Sequence, residues 1–227
     1  MPSLVFLLDV DNTLLNNDRL KDDLCRRITS AVGAKGNDRF WAIYEEVRKE
    51  EEVVDYPATL ERFAQASPDL DVDRVRDIVM HVDFADYLYP GAIAALRYLE
   101  TIGLTIIVSD GDPVYQRLKI ERSGLADAVH GRVRLTVHKQ AEMSAVFEAF
   151  PAEHYALIDD KTTILADMGR LYPDRVTTVL VCQGKYARLR YQPRPEIVVP
   201  HIADLVEVPR TEFLQPEANQ AQSALPA

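Results

Sequence analysis

The segment that most constrains this chain is Leu4-Val5-Phe6-Leu7-Leu8, a run of consecutive apolar residues leading straight into Asp9-Val10-Asp11-Asn12-Thr13. A short apolar run without alternation is the pattern of a strand buried on both faces, as in parallel sheets covered by helices on each side. Asp9 then falls at the carboxyl end of that strand, the edge at which open parallel sheets bind ligands. Two further runs end the same way: Leu104-Thr105-Ile106-Ile107-Val108 before Ser109-Asp110, and Tyr155-Ala156-Leu157-Ile158 before Asp159-Asp160. Distant segments thus deliver carboxylates and a hydroxyl to one edge of one sheet.

From Asp18 to about Leu88 strand-like runs are absent and the pattern is that of charged amphipathic helices. Leu24, Ile28 and Val32 recur every fourth residue, and Phe40, Ile43, Tyr44 and Val47 mark a second apolar face. The stretch Gly33-Ala34-Lys35-Gly36-Asn37-Asp38 reads as a helix stop followed by a cap. Tyr56-Pro57 and Ser67-Pro68 divide the region further, and its last helix is expected at about 73–82. Residues 16–87 are therefore expected to form an all-helical insert after the first strand. A helix opened by Tyr89-Pro90-Gly91 and closed by Gly103 starts a β-α rhythm that continues with helices at 114–123, 141–150 and 162–171 and strands at 133–137, 176–181 and 197–199. Residues 213–227 have little to bury and are expected to form a disordered tail.

Composition narrows the classes of partner. With 26 basic against 36 acidic side chains the formal charge is −10, so the chain lacks the basic face that nucleic-acid binding requires. Cys25 and Cys182 show no zinc spacing, which fits a reducing compartment without a structural metal. Met1-Pro2-Ser3 carries no positive signal region, and the apolar run after it is too short for a membrane span. A cytoplasmic protein that binds neither nucleic acid nor membrane is expected.

The chemistry-bearing residues come in the order Asp9 and Asp11, Ser109 and Asp110, Lys139, then Asp159 and Asp160. A magnesium ion takes hard oxygen ligands, usually one or two carboxylates together with water and a substrate phosphate, so Asp9 and one acid of the 159/160 pair can hold it. A carboxylate meets resistance in attacking a phosphate dianion, since like charges near 4 Å repel by about 4 kcal/mol at an effective dielectric near 20. The metal and the Lys139 ammonium offset that repulsion, and Ser109 can donate its hydroxyl. Asp11 is placed to carry a proton to a leaving oxygen and to take one from water. Taken singly, the Asp-x-Asp and Ser-Asp-Gly-Asp segments also read as turn and cap chemistry, and Lys139 as a solvated lysine. A calcium loop starting at Asp9 is excluded by Leu14 and Leu20, which stand where glycine and glutamate are required.

In that order, Asp9-Val10-Asp11-Asn12-Thr13, Ser109, Lys139 and Ile158-Asp159-Asp160 resemble the four motifs of the haloacid dehalogenase-like hydrolase superfamily, over residues 4 to about 182. The resemblance implies an α/β fold, a Rossmann-like parallel-sheet core of residues 1–15 and 88–212 with the all-helical cap of residues 16–87 inserted after the first strand. It implies Asp9 as nucleophile, Asp11 as general acid and base, and phosphate contacts from Thr13, Ser109, Asp110 and Lys139, with Lys119 the competing lysine. It implies Mg2+ bound by Asp9, the backbone carbonyl of Asp11 and Asp160, with Asp159 beside them or as the alternative ligand. The aspartate at position 11 is the mark of the phosphatases and phosphomutases of that superfamily and not of its dehalogenases. The expected activity is magnesium-dependent hydrolysis of a small phosphorylated metabolite through an aspartyl-phosphate. A phosphomutase with the same site and a non-catalytic phosphate-binding protein of the same fold are the alternatives. Within the insert, Arg48 follows the apolar face ending at Val47 and is the residue expected to meet an anionic arm of the substrate.

Overall fold

In the computed structural model, which describes residues 2–188 and 192–214, six strands pair side by side. They are β1 (Leu4–Leu8), β2 (Leu104–Asp110), β3 (Val133–Thr136), β4 (His154–Asp159), β5 (Val176–Val181) and β6 (Ile197–Val199). All pairings are parallel, in the spatial order β3-β2-β1-β4-β5-β6. The apolar runs form these strands because both sheet faces are covered. Leu4, Phe6 and Leu8 of β1 enter one core, and Val5 and Leu7 enter the core on the opposite face. Each such side chain contributes roughly 1.5–3 kcal/mol of burial. The chain lays strands outward in one direction from β1 and then in the other from β4, so the switch point lies between these neighbours. Asp9, at the end of β1, and the 159/160 pair, at the end of β4, face that crevice.

Two expected boundaries shift toward the site. The strand expected to stop at Val108 continues through Asp110, because Ser109 and Asp110 pair with Leu135 and Thr136 of β3. The helix expected from Ala141 starts at Lys139 and forms α7 (Lys139–Ala149), its first amide held by Asp110.

The insert comprises α1 (Asn17–Glu50), α2 (Tyr56–Ala66) and α3 (Val72–Met80). Along a straight helix Lys21 and Tyr44 would stand roughly 35 Å apart, yet the Lys21 ammonium donates to the Tyr44 hydroxyl at 2.6 Å. The continuous helical assignment thus contains a reversal, at Gly33 (φ 73°, ψ 171°). Two antiparallel arms result, carrying Leu20, Leu24 and Ile28 on one and Phe40, Ile43, Tyr44 and Val47 on the other. The glycine read as a helix stop is the turn of a helical hairpin. The two chain crossings that join insert to core run together: the Asn16 amide donates to the Tyr87 carbonyl at 2.8 Å and the Tyr89 amide to the Leu14 carbonyl at 3.0 Å.

The remaining helices are α4 (Ala92–Ile102), α5 (Tyr115–Arg122), α6 (Leu125–Ala128), α7 and α8 (Thr162–Leu171). The expected tail begins too early at 213, since Phe213 is buried with its ring edge-on to Phe6 at 5.0 Å. Residues 215–227 of that tail lie outside the described residues. No described helix is long and apolar enough to cross a membrane.

Candidate active site

The β1 ladder carries one bond past the strand: the Asp9 amide donates to the Ile158 carbonyl at 3.0 Å. The chain then turns over the Val10 carbonyl, which accepts the amides of Thr13, Leu14 and Leu15. Asn12 sits in the left-handed region at φ 64°, which asparagine tolerates better than most residues. This turn buries Asp9 and Thr13, with the Thr13 hydroxyl 3.5 Å from Asp9 Oδ2. It leaves Asp11 on the wall of a cavity of about 220 Å3 between the sheet edge and the insert.

Lys139, completely buried at the start of α7, donates to Asp9 Oδ1 at 2.8 Å and to Asp159 Oδ2 at 2.7 Å. Burial by itself would drive this lysine toward neutrality, but Asp159 and Asp9 outweigh it and raise its pKa, so the ammonium stays charged. Lys119 takes a different partner, Asp11 Oδ1 at 2.6 Å. The two lysines left open by sequence are thereby separated: Lys139 serves Asp9, and Lys119 serves Asp11.

The adjacent acids also divide. Asp159 accepts from Lys139 and, through Oδ1, from the Lys161 amide at 2.9 Å. Among the described residues, both oxygens of Asp160 are buried with no hydrogen-bond partner. Burial, followed by the charges of Asp159 and Asp9, pushes its pKa up to about 9, and burial raises Asp159 against the opposing pull of Lys139. Oxygens of Asp9, Asp159 and Asp160 lie within 4.8 Å of one another. Two of the three buried carboxylates share one fully buried lysine, and the partnerless oxygens of the third, Asp160, are hard donors. That donor set fits a hard divalent cation.

Ser109, expected to contact phosphate, is buried at the end of β2, and its hydroxyl accepts from Gln116 Nε2 at 2.8 Å, leaving its own proton available for another acceptor. Asp110 lines the cavity, but its Oδ1 accepts from the Thr136 hydroxyl at 2.7 Å and from the Lys139 amide at 2.8 Å. It fixes the start of α7 and so the position of Lys139. Arg48 lines the same cavity from the insert and pairs with Glu45 at 3.3 Å. Sequence reasoning missed Lys161, Lys21 and Gln116, all of which line this cavity. For Lys161 a signal existed, a cation directly after two acids at a strand end. Its pKa is raised: burial opposes the charge, but Asp9 and Asp159 more than compensate. For Lys21 and Gln116, each placed by its helix, no local pattern marked them.

A family model described as haloacid dehalogenase-like hydrolase matches residues 4–160. A solved structure from Burkholderia xenovorans LB400, described as that of a haloacid dehalogenase-like hydrolase, is 40% identical over 94% of this chain and 99% of its own, with a TM-score of 0.86. A haloacid dehalogenase-like family hydrolase from Xanthomonas campestris is 15% identical, with 96% and 99% of the chains covered and a TM-score of 0.58. The L-2-haloacid dehalogenase of Xanthobacter autotrophicus is 17% identical, with 89% and 96% covered and a TM-score of 0.58. At such identities the last two speak for the fold alone. None of the curated proteins matches the chain.

Proposed function

The chain belongs to the haloacid dehalogenase-like hydrolase family, and from that premise we propose that it hydrolyses a small phosphate monoester through an aspartyl-phosphate on Asp9, with magnesium as cofactor. The observation that carries this reading is the buried Asp9–Asp159–Asp160 cluster, in which Lys139 pairs with Asp9 and Asp159 while Asp160, its pKa pushed up to about 9, has no partner among the described residues. A site so built is completed by a cation, and a cation is what an anionic nucleophile needs to approach a phosphate dianion. Held by Asp9, Asp160 and the carbonyl of Asp11, magnesium would supply positive charge beside the phosphoryl oxygens.

The residues themselves do the rest. Lys139 holds the Asp9 carboxylate in place through Oδ1. The other oxygen of Asp9 forms a bond to phosphorus as the bond to the leaving oxygen breaks, and Asp11 delivers a proton to that oxygen. Water then attacks phosphorus, the acyl–oxygen–phosphorus link opens, Asp11 accepts the proton, and Asp9 is regenerated with release of inorganic phosphate. Lys119, 2.6 Å from Asp11, orients that acid. Lys161, which lines the cavity, and Ser109, buried at the end of β2, would contact the phosphate.

The test is phosphate release from a panel of phosphorylated metabolites and an aryl phosphate, with magnesium and with chelator. Release that requires magnesium and falls by at least about a thousandfold in Asp9→Asn supports the reading. Formation of a phosphate isomer without net release would replace it with a phosphomutase, and halide release from a 2-haloalkanoate with no phosphate release would replace it with a dehalogenase. Absence of any turnover would leave a binding protein.

A further inference from the structure

The cavity has a second charged wall. Opposite the strand ends, Lys21 and Arg48 line it from the two antiparallel arms of α1, with Tyr186 beside them. Lys21 has one hydrogen bond, to the Tyr44 hydroxyl at 2.6 Å, with its ammonium 4.8 Å from the centroid of that ring, and makes no ion pair among the described residues. Among the described residues Arg48 makes one ion pair, with Glu45 at 3.3 Å, and both partners of that pair stand about half exposed in solvent, at 45% and 51%, where such a pair holds weakly.

The acids around the cavity are already engaged elsewhere. Asp11 is held by Lys119 at 2.6 Å, Glu52 by His138 at 3.0 Å, and Asp110 by Thr136 and the Lys139 amide. Among the described residues, the exposed Glu45 is therefore the one anion paired with this cationic wall. Burial pushes the Lys21 pKa down to about 8 against the pull of Asp11, and the nearby cations Lys185, Arg48 and Lys119 add to the lowering. The volume, about 220 Å3, lies below the range of drug-sized pockets, which begins at roughly 300 Å3, and suits a molecule of few heavy atoms.

We infer that Lys21 and Arg48 form a subsite for a second anionic group, so that the substrate is a small molecule carrying a phosphoryl group at the Asp9 end and a carboxylate or second phosphate at the other. The inference rests on the proposed function only for placing the phosphoryl group at the Asp9 end. The reversal in α1 is what brings Lys21 and Arg48 to one cavity, since neither arm alone presents both cations.

The experiment is calorimetric binding in the presence of magnesium, which needs no turnover and so separates this subsite from the hydrolytic reading. The probes are phosphonoacetate, the nearly isosteric isobutylphosphonate without the second charge, and methylenediphosphonate. The wild-type protein should prefer phosphonoacetate or methylenediphosphonate over isobutylphosphonate by about 10- to 100-fold, the worth of a charge-assisted contact. The tighter of the two anionic probes identifies the distal group. That preference should fall to about threefold or less in Lys21→Met, fall part of the way in Arg48→Met, and be restored in Lys21→Arg. Should Lys21→Met fail to fold, as judged by circular dichroism, Lys21→Arg and Arg48→Met still decide. Equal affinity of the wild type for charged and uncharged probes, or a preference that survives loss of both cations, overturns the subsite. Wild-type preference without any phosphate release would uphold the subsite and overturn the hydrolysis instead.

Discussion

Asp159 receives the Lys139 ammonium and the Lys161 amide, whereas both oxygens of its neighbour Asp160 are buried with nothing to accept from. The first carboxylate is thus committed to holding the lysine that holds Asp9, and the second is free for a metal. Keeping an unpartnered carboxylate among two others costs folding energy, because desolvation and like-charge repulsion act in the same direction. The raised pKa leaves Asp160 largely protonated at neutral pH without metal, and Asp160→Asn removes the cost of that protonation at nearly constant shape. It should therefore raise metal-free stability by about 1–3 kcal/mol in urea unfolding while lowering turnover and abolishing most of the stabilisation that magnesium confers. A variant less stable than wild type in chelator, or one still stabilised fully by magnesium, would place the metal on Asp159 or elsewhere. The residue that the adjacency of two acids left ambiguous is thus distinguished by what each oxygen already touches.

Among the elements, α1 does most to shape the cavity, and its behaviour turns on one glycine. Gly33, at φ 73° and ψ 171°, occupies a backbone region that is essentially restricted to glycine, although a Cβ there would meet no atom within 4 Å. Substitution is therefore opposed by backbone strain alone and not by packing. Gly33→Ala should lower stability by about 1–3 kcal/mol and, if the strain is relieved by straightening the turn, also weaken the Lys21–Tyr44 contact. Urea unfolding checks the first effect. An unchanged midpoint would show that the two arms are held together by their apolar faces irrespective of the turn. The glycine was visible in the sequence as a helix stop, since glycine after an apolar-periodic run commonly ends a helix. That the chain doubles back there was not, because a stop says nothing of direction: Leu20, Leu24, Ile28 and Phe40, Tyr44, Val47 had to find a common core first.

For the molecule as a whole, the sheet has a reactive edge and an opposite edge that bears on stability. His154 opens β4 at the end away from the site, buried, with Nε2 2.9 Å from the Thr177 hydroxyl. Burial lowers its pKa below the ordinary 6.5, Glu196 opposing. As pH falls below about 6.5 the unfolded chain takes up a proton there before the folded one does, so the folded state loses stability progressively until the depressed folded value is passed. Relative to wild type, His154→Gln should therefore gain stability as pH falls below about 6.5; a difference between the two unfolding midpoints that stays constant across that fall would assign the pH dependence to other groups. The same architecture separates what composition and order determine from what they leave open. Apolar runs too short and too continuous for anything but doubly covered strands, each ending in polar groups, were enough to specify a parallel sheet, its helical insert, and the gathering of Asp9, Ser109, Asp159 and Asp160 at one edge, since strand direction in a parallel sheet sends every carboxyl end the same way. Only the tertiary structure decided that Lys139 serves Asp9 and Lys119 serves Asp11, that Asp110 anchors a helix, that Asp160 is the open acid, and that Lys21 and Arg48 share a cavity. Those outcomes depend on side chains far apart in the chain meeting within a few ångströms, and no local spacing records such a meeting.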